Sequence, residues 1–342
     1  MGTIAKILGV AVVIIVCVAF VAGIIMLLNL LNKRQMTGNN PLKKYHRNPE
    51  GAKLSPAEQR VLNIGAILSE VNHEFCDSLQ SLKYSAAKHL RQNLTEWWGI
   101  SCAEEAEEAL ERLKIKGHRQ VFSVILANAS EILNQEPSFE DFQLIYKRAG
   151  LPLIDEEIST DYEREVSLVE KHADILHAMH TEKSKKEVDS LIEQHKALFD
   201  DDATFSVCIQ IYGTILNKYS DFAQYAKNLK NTVDKLRNRG FLGEHMQLER
   251  INPAAWDMGR MVNVARWCYS CGYITERMAW EYMFFAEKES SNCYADWADF
   301  SNAYVTGRAI WGGADEVLDV TMDIVEGLLK DEKSPWQLIP LR

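Results

Sequence analysis

Between Lys6 and Lys33 the chain carries no charged residue. The run ILGVAVVIIVCVAFVAGIIMLLNLL, residues 7–31, supplies the roughly 20 apolar residues needed to cross about 30 Å of hydrocarbon. A cleaved signal peptide has a shorter apolar core of about 7 to 15 residues, and no small-x-small site closes this run. Val16 is too bulky to precede a lipoprotein acceptor at Cys17. The sequence therefore predicts a short tail (1–6) and one transmembrane helix (7–31), which makes the lipid bilayer the first expected partner.

Lys33, Arg34, Lys43, Lys44 and Arg47 follow the span, whereas only Lys6 and the terminal amine precede it. The positive-inside rule then places the C-terminal bulk in the cytoplasm. The seven cysteines (Cys17, Cys76, Cys102, Cys208, Cys268, Cys271 and Cys293) are odd in number and scattered, as in a reducing compartment. Ala19 and Gly23 form a small-xxx-small pair on which a second copy of the helix could pack, so a homo-oligomer is one option. With 48 acidic against 38 basic residues the formal charge is -10. That excess argues against nucleic acid, where a basic face supplies most of the affinity.

Residues 32–54 hold Gly38, Asn39, Asn40, Pro41, Asn48, Pro49 and Gly51 and read as a basic flexible linker. The domain is expected over 55–342. Ser55-Pro56-Ala57-Glu58 places a capping hydroxyl, a proline at the first helical position and a glutamate at the third, so a helix is predicted from Pro56 past Leu68. Ser101-Cys102-Ala103-Glu104 repeats the pattern, with Gly117 as the stop. Further helices are predicted at about 119–134, 138–148, 161–198 and 204–238, and strand-like alternation is nearly absent. The fold class is all-α. Six of the eight tryptophans fall between Trp256 and Trp336, while about 155–240 has none and is richer in charge and histidine. Composition thus suggests a helical insertion joining core pieces at about 55–150 and 241–342.

Most chemical motifs are incomplete. His73-Glu74-Phe75-Cys76-Asp77 mimics a helical zinc site, but Asp77 replaces the second histidine, and an exposed helix face is the simpler reading. His177 and His180 alone do not make a metal site. Cys268-Tyr269-Ser270-Cys271 lacks a second cysteine pair and reads as buried thiols near a helix end closed by Gly272. No nucleophile elbow, phosphate loop or placed carboxylate pair is present, so no metal, cofactor or catalytic residue is assigned.

The last hundred residues are more informative. At about 100° per residue, Asp257, Arg260, Asn263, Val264 and Trp267 share one broad helix face. Trp297, Phe300, Ser301, Tyr304, Arg308 and Trp311 align on another. One reading is a core helix pair in which Asp257 pairs with Arg260 or Arg308. The other is a pocket where Arg260 or Arg308 takes an anionic group between the walls of Trp297, Tyr304 and Trp311. The candidate ligand- or partner-binding residues are Asp257, Arg260, Asn263, Trp267, Trp297, Tyr304, Arg308 and Trp311.

Trp256-Asp257-Met258-Gly259-Arg260, Ala265-Arg266-Trp267, Gly272-Tyr273-Ile274, Tyr304-Val305-Thr306-Gly307-Arg308 and Ser334-Pro335-Trp336 resemble the bacterial domain of unknown function 1266 family. Gly65-Ala66-Ile67-Leu68-Ser69-Glu70, Trp98-Gly99-Ile100 and Gly117-His118-Arg119 are similar to its first half. The resemblance implies a bacterial origin and a helical domain from about residue 60 to the end, and brings no catalytic residues. With the anchor, it points to the bacterial inner membrane. The leading expectation is a membrane-tethered interaction or regulatory module with a protein partner. The alternatives are an enzyme or small-ligand sensor with an Asp/Arg/aromatic cleft, and a toxin or immunity component.

Overall fold

The computed structural model describes residues 45–82, 87–154, 162–181, 184–199, 202–243 and 247–342. The expected transmembrane helix lies outside them. Among the described residues no helix is long and apolar enough to cross a membrane, and every regular element is helical. The all-α expectation holds for the domain.

The first half contains α1 (Pro56–Ile64), α2 (Ala66–Val71), α3 (Ala87–Trp98), α4 (Ala103–Ile115), α5 (Arg119–Ala127), α6 (Ala129–Asn134) and α7 (Phe139–Arg148). The middle carries α8 (Tyr162–Lys171), α9 (Ala173–Thr181), α10 (Lys185–His195) and the long α11 (Asp202–Asn238). The last part is α12 (Ala254–Cys271), α13 (Glu276–Cys293), α14 (Trp297–Gly312), α15 (Glu316–Lys330) and α16 (Pro335–Leu338).

Local chemistry sets most boundaries. Ser55 and Glu58 form the expected capping box, but Gly65 ends α1 earlier than the apolar pattern implied. At α4 the expected cap differs. Cys102 is the N-cap without a side-chain capping bond, while the Ser101 amide and hydroxyl both donate to Glu105. The predicted helix at 119–134 breaks at Asn128, whose side chain donates back to the Val124 carbonyl at 2.8 Å. Residues 45–51, expected to end a linker, are held on the domain. Asn48 N–H donates to Asp77 at 2.8 Å, and the His46 carbonyl accepts from the Cys76 amide at 2.7 Å.

Most of α12 is buried, on all sides, as expected only of a helix enclosed by others. Helices α1 to α5, α13 and α14 pack around it. Its start is capped from a distant element. The Tyr294 hydroxyl accepts from the Ala255 amide and donates to the Asn252 carbonyl, both at 2.7 Å. The stretch set apart by composition is not all peripheral. In α11, Cys208, Ile211, Ile215, Phe222, Ala226, Leu229, Val233 and Leu236 are buried at spacings of three, four or seven residues, one face of a helix. That stripe seats α11 against α14 and against α5 to α9. Asn228 closes the contact by donating to the carbonyls of Ile310 and Trp311 at 2.9 and 3.2 Å.

Candidate functional site

Asp257 sits in the first turn of α12 with a fully buried side chain. It accepts the backbone amides of His118 and Arg119 at 3.1 and 2.8 Å. The carboxylate therefore caps the start of α5 from across the domain, where free amides and the helix dipole favour an anion. Arg119 reaches the same carboxylate at 3.3 Å and also donates to the Leu113 and Lys114 carbonyls at the end of α4. Arg260 completes the group, bonding Asp257 through Nη2. Asp257 thus pairs with Arg260 and Arg119. Arg308, the other partner considered for it, pairs with Asp315 instead.

Asn263 has a different target. Its Nδ2 donates to the Gly65 carbonyl at 2.9 Å, and its Oδ1 accepts from the Ser69 hydroxyl at 2.8 Å. A Cβ at Gly65 would lie 2.7 Å from Asn263 Nδ2. Arg266 serves a third segment. Its guanidinium donates to the carbonyls of Phe75 and Ser78, and to the Ser69 hydroxyl. Trp267 donates its indole N–H to Glu74 at 2.6 Å, and Arg266 lies 3.6 Å from the other oxygen of that carboxylate.

The geometry of the row explains why these residues do not converge. Successive steps of three on an α-helix fall back by about 60°, so from Asp257 to Arg266 the row turns through about half the circumference. Along the row the contacts move across the first half: Asp257 and Arg260 meet the α4–α5 junction, Asn263 the α1–α2 junction, and Arg266 reaches on to the loop after α2. The broad shared face expected from the sequence is a spiral of clamps.

The zinc-like pentapeptide is also corrected. Residues 74–78 form an irregular loop, not a helix face, and Glu74 is buried. Burial raises the Glu74 carboxyl to about 7 against the opposing pull of Arg266. The same burial lowers the Arg266 guanidinium. Cys268 and Cys271 are buried just before Gly272, which ends α12 at φ 78°. Burial pushes the Cys268 thiol up to about 12, which leaves it a poor nucleophile. Among the described residues no group of three metal-ligating side chains comes together.

The aromatic candidates divide into two places. Trp297 stacks on Trp336 with centroids 4.9 Å apart and donates to the Ile339 carbonyl at 2.9 Å. Both line a cavity of about 520 Å³ with Asp296, Gln337, Pro340 and Arg342. Tyr304, Arg308 and Trp311 lie elsewhere, around Trp256. The Trp256 ring is 5.2 Å from Tyr304 and 5.8 Å from Trp311, and the Arg260 guanidinium lies 4.6 Å over it. Burial raises the Tyr304 phenol despite the two nearby guanidiniums, Arg260 and Arg308.

Several participants were absent from the sequence-derived site: Glu74, Trp98, His118, Arg119, Trp256, Arg266 and Asp315. Arg260 is held between Trp256 and Trp98, 5.5 Å from the latter, and donates to His118 Nδ1 at 2.9 Å. Because a guanidinium only donates, His118 accepts at Nδ1 and carries its proton on Nε2. Burial, with Arg260 beside it, holds that imidazole down at about 4. Arg266 had a usable signal, since it continues the three-residue row from Asn263.

The fold is an all-α domain organised on a buried helix whose polar side chains tie down the surrounding segments. The chain belongs to the family described as Protein of unknown function (DUF1266), whose model matches residues 93–341. Comparison with curated proteins and with solved structures found no match. The clamps extend beyond the matched span, because α1, α2 and the Glu74 loop precede residue 93.

Proposed function

We propose that this protein is a membrane-tethered module, anchored by residues 7–31 in a bacterial inner membrane, whose cytoplasmic domain works by binding a protein partner. The observation that supports this most is the use made of α12. Asp257, Asn263 and Arg266 are consumed by internal bonds. A catalytic group must be free to reach a substrate. The exposed surface, by contrast, carries large apolar side chains. Trp97 is 75% exposed and Ile115 is 70% exposed, each near the end of a helix that packs on α12. Tryptophan is enriched among the residues that dominate protein interfaces.

The test is crosslinking and affinity purification of the full-length chain from native membranes, beside an anchored control lacking residues 55–342. The proposal expects a reproducible partner that depends on the domain and is lost in Trp97→Ala. Capture that is equal with the control, or no capture at all, contradicts it.

A further inference from the structure

Among the described residues, two of the buried N–H donors left without an acceptor, on Arg308 and Trp256, lie on side chains beside one exposed aromatic ring. Arg308 spans both oxygens of Asp315 through Nη2, at 2.9 and 2.7 Å, while its Nη1 is buried without an acceptor. The indole Nε1 of Trp256 is likewise buried without one. A buried donor left unmet is unfavourable, more so on a charged group.

Both donors belong to side chains that pack against one ring. Trp311 lies 5.8 Å from the Trp256 ring, and its centroid is 5.3 Å from the Arg308 guanidinium carbon. Trp256 and Arg308 are 5% and 4% exposed, whereas Trp311 is 40% exposed. One solvent-facing ring therefore packs against both side chains that carry these donors. The adjoining glycines preserve this arrangement. A Cβ at Gly312 would come 1.9 Å from Arg308 Nη1, and one at Gly307 would come 2.6 Å from Trp256 Cβ.

The charge balance favours an anion. Arg119 and Arg260 share the single carboxylate of Asp257, and Arg308 is matched by Asp315. The Asp257 group thus holds two guanidiniums against one carboxylate, and its surplus positive charge reaches the Trp256 ring through Arg260, 4.6 Å over it. Guanidinium N–H groups bind carboxylates and phosphates more strongly than neutral acceptors.

We infer that Arg308 Nη1 and the Trp256 indole N–H bind a small oxyanion, of the carboxylate or phosphate class, beneath the ring of Trp311. Nothing in this site depends on the partner-binding proposal. The bound ion accepts from both donors, neutralises the surplus charge, and is covered by an aromatic side chain whose backbone carbonyl is fixed by Asn228.

The test uses full-length protein in detergent micelles with 15N-labelled tryptophan, the Trp256 indole resonance being assigned with Trp256→Phe. Sodium phosphate and sodium acetate are titrated in separate arms against sodium chloride at matched ionic strength. A saturable shift of the Trp256 resonance with at least one oxyanion is expected, with a dissociation constant of about 1 mM or tighter. The arm that responds identifies the class. Arg308→Lys keeps the charge but removes the second guanidinium nitrogen, and should weaken binding about tenfold or more. The other indole resonances report whether that variant is folded. The wild-type titration decides the matter independently of any variant: a shift that never saturates, or one that chloride reproduces, overturns the inference.

Discussion

A Cβ on Gly117 would lie 2.0 Å from Asp257 Oδ2, so the carboxylate of α12 occupies space that only glycine leaves open. Gly117 also has φ 58°, a left-handed conformation that glycine adopts without strain. One residue thus ends α4, turns the chain into α5 and admits the carboxylate that caps α5. Gly117→Ala should lower unfolding free energy by about 2 to 4 kcal/mol, combining backbone strain with a displaced buried carboxylate. Urea unfolding of the full-length protein, followed by circular dichroism, checks this value.

Arg266 and Glu74 should behave as a coupled buried pair. Removing one member of such a pair leaves the other uncompensated and typically costs about 3 to 5 kcal/mol. Arg266→Met is expected in that range. The double variant Glu74→Gln/Arg266→Met should lose clearly less than the sum of the two single changes. A double-mutant cycle on unfolding free energies measures the difference.

Glu74 also sets a pH dependence. Its carboxyl is raised from 4.5 to about 7 in the folded state, so the folded chain holds that proton more tightly than the unfolded chain. The associated stability is fully present below about 4.5 and is lost as pH rises through about 7, on the order of 2 to 4 kcal/mol in all. The stability difference between wild type and Glu74→Gln, followed from pH 4.5 to 8 in thermal melts, should show this decline. A flat difference contradicts the burial that causes it.

His118 acts in the opposite sense. Its imidazole is lowered from 6.5 to about 4, so stability falls as pH drops from 6.5 toward 4 and the unfolded chain takes up the proton first. Ring 15N shifts should show His118 neutral at pH 6, protonated on Nε2, with a titration midpoint below 5. A midpoint near 6.5 removes the hydrogen bond from Arg260 to Nδ1.

Trp97→Ala should leave the fold almost untouched, within about 0.5 kcal/mol, because an exposed side chain contributes little to the core. Melting curves should superimpose while partner capture is lost. A large drop in stability places Trp97 in the core and removes it from the proposed interface.

The helical class was legible because capping residues and three- to four-residue apolar spacing are local signals. Ser55 with Glu58 and the glycine after Cys271 act where the pattern places them. The contacts of the polar row were not legible. A projection of α12 shows Asp257, Arg260 and Asn263 on neighbouring faces but not what lies against each one. The cap on α5 comes from 138 residues away, and no local pattern records such a pairing. Glu74 was misread for the same reason. Its neighbours suggest a helix face, whereas its environment is set by Trp267 and Arg266. The apolar stripe of α11 was visible as a helix, but charged residues on its outer face masked its place in the core.

Hydrogen–deuterium exchange on three single variants tests most directly whether the polar row of α12 is a set of clamps. Asp257→Asn should speed exchange around residues 116–122, Asn263→Ala around 64–71, and Arg266→Met around 72–82, each with a lower melting midpoint. Unchanged exchange and melting in all three, accompanied by loss of a binding or catalytic activity, would contradict the account and make the row a functional site.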